Sequence, residues 1–304
     1  MTNKKSFHHL SYHNHAKQLD QYATGGTKES HGKTWLQTNT VDAWRHDRMY
    51  RLLDPILAEC PGTRWLTLGD GRFGNDAHYI KSKGFAAVAT DISDTLLKEA
   101  KEFGYIDDYR RENAEALSFS DGQFDFVFCK ESYHHFPRPM VALYEMLRVS
   151  SKGVILIEPN DRFMTSSFLE LIFRHVTDLL ITVTGKKVQK HSFEEVGNYF
   201  YPISQREIEK AAIGVSCKTL ALSRLNDFYM EGVEYETVSE KGKIYGKIKC
   251  VIFLLDLLTK LKLRQHNLLV AAIFKQKLTG SLLNSLVKAG YRVLDLPENP
   301  YLNT

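Results

Sequence analysis

A glycine-rich turn between an apolar run and a helix-like segment is the first feature with a chemical use. The stretch Trp65–Gly74, WLTLGDGRFG, begins apolar and carries Gly69, Gly71 and Gly74 just before NDAHYIKSKG. Glycines let the backbone turn sharply and approach a ligand where a Cβ would clash. Free N–H groups at the start of the helix would then face that ligand. The pattern predicts a strand–turn–helix unit that binds a nucleotide-type ligand, although several cofactor classes share such a turn.

An acidic residue extends this interpretation. Asp91 follows Gly71 by twenty residues and ends the short apolar run Ala86–Asp91. A carboxylate at the end of the second strand of a βαβ unit can accept hydrogen bonds from both ribose hydroxyls of a nucleoside. The spacing therefore predicts a nucleoside sugar at the end of this strand.

The elements that must position these residues alternate between strand and helix. Phe124–Cys129 and Gly153–Pro159 are apolar runs typical of buried strands, and Pro137–Val149 is a helix begun by prolines. Cys217–Leu225 and His266–Gln276 are expected to be the sixth and seventh strands. This alternation predicts an α/β fold with a parallel, doubly wound sheet, whose ligands lie at the carboxyl ends of the strands.

Composition limits the classes of protein to consider. The chain has 304 residues, of which 43% are apolar, enough for one large α/β domain with additions. The sequence contains neither a run long enough to span a membrane nor an apolar secretory signal, and its four cysteines are scattered, so we expect reduced thiols and a cytoplasmic protein. The net charge of +4 is mild, and the sequence has no Lys/Arg-rich module, so no nucleic-acid partner is expected.

Four motifs in order carry a family resemblance. They are the glycine turn at 69–74, Asp91, the segment ENAEALSF followed by FDFVF, and ESYHHF after the fourth strand. Residues 63–160 resemble the class I S-adenosyl-L-methionine (SAM)-dependent methyltransferases, in particular the ubiquinone/menaquinone-biosynthesis group. The resemblance implies a Rossmann-like methyltransferase fold: a doubly wound, seven-stranded, mostly parallel sheet whose last strand inserts antiparallel, with an N-terminal helical lid and C-terminal additions.

The resemblance also implies SAM as the cofactor and S-adenosyl-L-homocysteine (SAH) as the product. The positions that match the family's cofactor contacts are Gly69, Asp70, Gly71, Gly74, Asp91, Ile92, Asn113, Ala114 and Lys130. Two residues depart from the family pattern. Thr67 replaces an acid that helps to hold the amino group of the methionine moiety, and Asp70 is the nearest carboxylate to compensate. Asn113 replaces the adenine-binding acid, and its amide oxygen can still accept a hydrogen bond.

Methyl transfer is an in-line displacement in which the enzyme mainly positions the acceptor. A base is needed only where the acceptor loses a proton. His134, His135 and Glu131 are the candidate catalytic residues, because they follow the fourth strand and imidazole titrates near neutral pH; Glu158 is a further candidate at a strand end. The alternative is that the His pair is structural or borders the cofactor. Histidines 8, 9, 13 and 15 could bind a metal, but a mobile tail is the simpler interpretation, and no metal site is predicted.

The expected acceptor contacts lie outside the motifs. They are Arg45 and His46 on a helix over 35–60 that could cover the cofactor, and Tyr199, Tyr201 and His175 in a later insertion. For all of these, ordinary packing is the alternative. We expect a small-molecule acceptor methylated at oxygen or nitrogen: a sugar, a polysaccharide precursor or a secondary metabolite.

The predicted organisation is a flexible polar tail over 1–34, a methyltransferase domain over 35–276 with insertions at about 162–215 and 228–262, and an extension over 277–304. We expect the second insertion to form a lid or a homodimer contact, and peripheral contact with a membrane or a lipid-linked acceptor is the alternative.

Two rival functions remain. A nicotinamide enzyme would need a catalytic Tyr-x-x-x-Lys motif or a second substrate domain, and it would leave the segments ENAEALSF and FDFVF without a role. A SAM-binding regulatory or assembly protein without transferase activity stays open because of Thr67.

Overall fold

A mixed sheet with helices on both faces forms the body of the protein. The computed structural model describes residues 7–161, 163–164, 167–185, 191–239 and 241–301. Within these residues the strands are β1 (Arg64–Leu68), β2 (Ala86–Asp91), β3 (Asp108–Arg111), β4 (Phe124–Lys130), β5 (Ser150–Pro159), β6 (Thr219–Leu225), β7 (Leu268–Phe274) and β8 (Arg292–Asp295). Their order across the sheet is β3-β2-β1-β4-β5-β7-β6-β8.

Strand direction confirms the predicted fold class. The strands from β3 to β5 are all parallel, whereas β7 runs antiparallel between β5 and β6. The strand β8 pairs antiparallel with β6 and extends the expected seven strands to eight. Because β1 lies between β2 and β4, the chain reverses its winding direction there, and the crevice that binds ligands in such sheets opens at this point.

Helices cover both faces. They are α1 (Phe7–Asp20), α2 (Thr27–Thr34), α3 (Val41–Tyr50), α4 (Asp54–Glu59), α5 (Asn75–Ser82), α6 (Thr95–Glu102), α7 (Pro139–Val149), α8 (Phe168–Val183), α9 (Gln205–Gly214), α10 (Lys243–Lys260) and α11 (Gly280–Lys288). Side chains of β1 alternate between two cores: Trp65 packs with α4, α5, α6 and α11, and Leu66 packs with α7 and α9. This alternation is what a strand buried on both faces requires.

The N-terminal segment differs from the expected flexible tail, because α1 and α2 are helical. The C-terminal end of α1 is fixed to the start of α6: the Asp20 carboxylate accepts hydrogen bonds from Ser93 Oγ at 2.6 Å and Thr95 Oγ1 at 2.7 Å. Tyr12 and Ala16 are buried. Tertiary contacts therefore order a polar helix whose sequence has little amphipathic pattern.

The later segments follow the prediction in part. Ser204 caps α9 by accepting from Glu207 N at 3.2 Å, as the capping-box pattern predicts. The C-terminal segment, whose sequence predicts a helix followed by an extended piece, contains the helix α11 and the edge strand β8. Among the described residues, no helix combines the length and apolar content needed to cross a membrane. The division of the chain into tail, domain and extension stays a prediction.

Candidate functional site

A cavity of about 1180 Å³ opens at the carboxyl ends of β1, β2 and β4, beneath α1 and α3. Twelve of the predicted site residues line it: Arg45, His46, Gly69, Asp70, Gly71, Asp91, Ile92, Ala114, Lys130, Glu131, His134 and His135. Five others do not line it: Gly74, Asn113, His175, Tyr199 and Tyr201. The cavity thus joins residues that are up to ninety positions apart in the sequence.

The glycine turn packs too closely for side chains. Gly69 has a φ of +70°, and a Cβ there would stand 2.3 Å from Ser132 Cβ. A Cβ on Gly71 would stand 2.8 Å from Asp91 Cγ and equally close to Leu19 Cδ1 of α1. Glycine is therefore required at both positions, and the turn is in direct contact with Asp91 and the N-terminal helix.

Asp91 ends β2 inside the cavity. Its carboxylate accepts a hydrogen bond from Ser93 N at 3.0 Å and is buried. Burial raises the pKa of Asp91 to about 6, against the opposing effect of backbone N–H groups of Ser93, Gly71 and Ile92. A buried carboxylate at this strand end fits the predicted contact with ribose hydroxyls.

Thr67 and Asp70 interact with each other rather than standing free. Thr67 Oγ1 donates to Asp70 Oδ2 at 2.7 Å, and the same carboxylate accepts from the N–H groups of Asp76 and Ala77 at 3.0 and 2.9 Å. Burial and the neighbouring charge of Asp76 raise the pKa of Asp70. Asp70 thus caps the N-terminus of α5, and its contact with a ligand amino group stays a prediction.

Lys130 anchors a polar cluster that the sequence did not reveal. Its Nζ lies 3.4 Å from Asp76 Oδ1 and donates to His46 Nδ1 at 3.0 Å, while Tyr50 Oη donates to Asp76 Oδ1 at 2.7 Å. Burial alone would lower the pKa of Lys130, but the charges of Asp76 and Glu131 raise it. Burial and the Lys130 charge hold the pKa of His46 well below its usual value, so His46 is neutral at pH 7. The sequence feature that could have identified Asp76 as a site residue is its position in the first turn of the helix that follows the glycine turn.

Glu158 holds one histidine in a fixed orientation. This fully buried residue, at the end of β5, accepts from the backbone N–H groups of Ser132 and Tyr133, both at 2.9 Å. His134 Nδ1 lies 2.6 Å from its other oxygen. A hydrogen bond from Nδ1 to the carboxylate leaves Nε2 as the nitrogen with a lone pair. Phe200 packs on the His134 ring with centroids 4.6 Å apart.

His135 makes a second pair with an acid. Its Nδ1 lies 2.5 Å from Glu194 Oε1, and Glu194 Oε2 lies 3.9 Å from His15 Nε2 of α1. Burial and the adjacent His134 lower the pKa of His135. The donor atoms of His134, His135 and Glu194 lie within 4.8 Å of one another, a set that could hold a divalent cation. Glu194 carried no sequence signal, since it follows β4 by more than sixty residues.

The expected acceptor contacts separate into two groups. Arg45 lines the cavity, but its guanidinium is bound to Asp42 at 2.7 Å and to Asp227. Tyr199 and Tyr201 pack on each other outside the cavity, and it is Phe200 between them that reaches His134. His175 is exposed on α8. All three aromatic residues are partly buried, and the backbone N–H of Tyr201 also contacts His134 by donating to its carbonyl at 3.2 Å.

Asn113 and Gly74 stabilise the backbone around the cavity. Asn113 Oδ1 accepts from Glu115 N at 2.9 Å, and Gly74 stands at the N-cap of α5 with a φ of +72°. Their predicted roles toward a cofactor stay predictions.

Taken by itself, the fold defines a doubly wound α/β protein with a cavity where the winding of the sheet reverses. Comparison with known proteins narrows the class, because residues 66–157 match the methyltransferase domain family. The chain is 35% identical over 118 residues to the 2-methyl-6-phytyl-1,4-hydroquinone methyltransferase of Synechocystis sp., covering 36% of this chain and 37% of that protein. It is 33% identical over 121 residues to the demethylmenaquinone methyltransferase of Renibacterium salmoninarum, covering 40% and 51%.

The chain is similar to the solved structure of an S-adenosylmethionine-dependent methyltransferase from Mesorhizobium loti. The match has 14% sequence identity and a TM-score of 0.48, and it covers 77% of this chain and 99% of that one. The chain spans only about a third to a half of the length of the curated relatives. Residues 66–157 are thus similar to a methyltransferase domain, and the strand order and the glycine turn are those expected from the resemblance to class I SAM-dependent methyltransferases.

Proposed function

We propose that the protein is an enzyme that methylates a small aromatic hydroxy compound of the hydroquinone class. The observation that carries the proposal is one cavity in which the nucleoside-binding features and a buried Glu158–His134 pair meet. The names of the two curated relatives, a hydroquinone and a demethylmenaquinone methyltransferase, favour this acceptor over the sugar or secondary metabolite expected from the sequence. The expectation that the methyl group goes to an oxygen or a nitrogen atom stays a prediction.

The residues present fit SAM at the β1–β2 end of the cavity. Gly69 and Gly71 leave room for a backbone-lined ligand, and Asp91 offers an acceptor for ribose hydroxyls. Lys130 and Glu131 border the region beside the turn where the amino-acid end would lie. When bound, SAM supplies a sulfonium whose methyl group is displaced in line, which leaves SAH. The SAM-binding protein without transferase activity is the alternative that the experiment below distinguishes.

His134 is the proposed general base. A phenolic hydroxyl attacks well only after it loses its proton, and loss of that proton also activates the neighbouring ring carbons. Nε2 of His134 can take the proton, since Nδ1 is engaged by Glu158, and the carboxylate then stabilises the imidazolium. His135, neutral and paired with Glu194, would border the acceptor. The reaction thus places the proton on His134.

A cytoplasmic location belongs to the same proposal. The four cysteines, Cys60, Cys129, Cys217 and Cys250, are free thiols, which supports it.

The test is turnover with SAM labelled in its methyl group and a set of hydroquinones. We expect a labelled product with the wild-type protein, a loss of about a hundredfold or more in kcat for His134→Ala, and unchanged activity for His13→Ala, an exposed histidine of α1. SAH binding by calorimetry shows whether each variant keeps its cofactor site. Binding of SAH without product from any acceptor would instead support the non-catalytic alternative.

A further inference from the structure

Helix α8 presents its apolar side chains to solvent. Its buried residue among those described is Glu170, which is 5% exposed, whereas Phe168 is 74%, Leu179 63% and Val183 76% exposed. A helix that packs on a protein core shows the reverse arrangement, with apolar residues inward and acids outward. The described part of the chain therefore leaves the apolar side of α8 uncovered.

Helix α10 adds to the same surface. Ile248 and Ile252 fix one side of this helix to the body, while Phe253, 66% exposed, lies with Leu254 and Leu257 on the outer side. Exposed lysines surround these residues in the sequence: Lys243, Lys247, Lys249, Lys260 and Lys262. The helix thus combines an outward apolar stripe with a cationic border.

The two helices approach each other at one end. Ser167 Oγ, at the N-cap of α8, donates to the Lys262 carbonyl at 3.0 Å, and Gln265 Nε2 donates to the Met164 carbonyl. The start of α8 therefore lies against the end of α10. We call the exposed apolar residues of both helices, with the lysines of 243–262, the α8–α10 face.

We propose that the α8–α10 face lies on the surface of a bilayer that contains anionic phospholipids. Neither helix is long and apolar enough to cross a membrane, so an in-plane position is the geometry left to them. Exposed apolar side chains enter the interface between headgroups and acyl chains, and bordering lysines are attracted to anionic headgroups. Burial of the same face between two copies in a symmetric dimer would bring like-charged lysines together.

The location of the face relative to the cavity is consistent with this proposal. Strand β5 ends at Pro159, one residue after Glu158, the partner of His134, and α8 begins nine residues after Pro159. The proposed membrane face therefore follows in the chain from the strand that carries the partner of His134. The inference itself uses no turnover and holds for any acceptor.

The experiment is co-sedimentation of the full chain with vesicles of phosphatidylcholine alone and of equal parts phosphatidylcholine and phosphatidylglycerol. We expect the wild-type protein to sediment with the anionic vesicles and less with the neutral ones. Phe168→Ser/Leu179→Ser/Val183→Ser should weaken binding to the anionic vesicles by about tenfold or more. Lys247→Glu/Lys260→Glu/Lys262→Glu should weaken it with a loss of salt dependence. Val287→Ser and Lys288→Glu, exposed on α11, are the matched controls and should bind like wild type.

Equal binding of the wild type and the apolar variant, or no binding to either kind of vesicle, would overturn the proposal. Light scattering in lipid-free buffer tests whether a second copy of the chain occupies the face. If the wild type is a dimer that does not bind vesicles, and the apolar variant is a monomer, the face serves self-association. Calorimetry with SAH verifies that each variant is folded. A failure of vesicle binding leaves SAH binding and turnover unaffected, so it is distinct from a failure of the proposed function.

Discussion

At the scale of single residues, Asp91 links the ionisation of one side chain to cofactor binding. In the proposed site its carboxylate accepts hydrogen bonds from both ribose hydroxyls when ionised and loses one of these acceptors when protonated, and burial raises its pKa to about 6. Because the proton competes with the nucleoside, SAH affinity should fall as pH drops below 6, at a limiting slope of about tenfold per pH unit. Calorimetric titrations with SAH between about pH 5 and 8, a range that includes the ionisation of Asp91, measure this change in affinity.

Asp91→Asn tests the assignment directly. The variant should lose about one to three kcal/mol of SAH binding free energy at pH 7.5, because the charged acceptor is gone, and its affinity should no longer change with pH in this range. Asp108→Asn on the neighbouring β3, an exposed partner of Lys101, is the control. A pH profile that persists in Asp91→Asn would assign the proton to another group.

Glu158 makes a second prediction at this scale, as a positioning residue. In Glu158→Gln the single amide oxygen can accept from the N–H groups of Ser132 and Tyr133, which turns the amide N–H₂ toward His134 Nδ1. The variant loses both the charge that stabilises an imidazolium and the acceptor for Nδ1, so kcat should fall by about a hundredfold while SAH affinity stays within twofold. Steady-state kinetics and calorimetry measure the two quantities. Glu231→Gln, exposed after β6, should behave as wild type. An equal loss of SAH affinity would mean that Glu158 supports the fold of the cofactor site instead.

Residue types near the motifs were predictable, but pairings were not. The motif order placed Asp91 and His134 at the cavity because short-range spacing fixes strand ends. The partners Glu194 and His15 are separated from His135 by about sixty and 120 residues, and only tertiary packing brings them together. For the same reason the sequence named Tyr199 and Tyr201, whereas Phe200 is the residue that reaches His134.

At the scale of elements, the glycine turn joins β1, β2 and α1. Gly71→Ala should lower SAH affinity by tenfold or more, because the new Cβ would stand 2.8 Å from both Asp91 and Leu19; a shift of about 1.4 kcal/mol corresponds to tenfold. Gly246→Ala is the matched control: nothing lies within 4 Å of that position in α10, and alanine there should be neutral or stabilise by up to about 1 kcal/mol. Calorimetry and thermal unfolding measure both variants. Unchanged affinity in Gly71→Ala would show that α1 and the Asp91 side chain move aside without cost.

Element prediction succeeded where apolar runs are long and failed where tertiary contacts order polar segments. The buried strands β1, β2, β4 and β5 can be recognised in the sequence because they are apolar runs. Helix α1 does not, because its order depends on Asp20 bonding to Ser93 and Thr95. The short strand β3, DYRR, carries too few apolar residues to be recognised, and its pairing with β2 sets its conformation.

At the scale of the whole molecule, a buried charge network ties the N-terminal helices to the antiparallel end of the sheet. Arg45 of α3 donates to Asp42 at 2.7 Å and to Asp227, which follows β6, and Asp227 N donates to Asn267 Oδ1 before β7 at 2.9 Å. All three charged side chains are buried. The network therefore holds the cover of the cavity onto the half of the sheet that carries no cofactor residue.

Arg45→Met should lower the free energy of unfolding by about 3 to 5 kcal/mol near pH 7.5, because two buried carboxylates lose their shared cation. The deficit should shrink as pH falls toward 5. Burial raises the pKa of Asp42 even though Arg45 opposes it, and removal of Arg45 raises it further. A folded-state pKa above the unfolded value means that protonation favours the folded state, so stability returns at lower pH. Urea unfolding at several pH values measures this dependence.

Arg51→Met, which breaks the exposed pair with Asp47, should change the free energy of unfolding by less than about 1 kcal/mol. Asp42→Asn/Arg45→Met/Asp227→Asn should recover much of the loss, and equal costs for Arg45→Met and Arg51→Met would show that the network does not hold the two halves together.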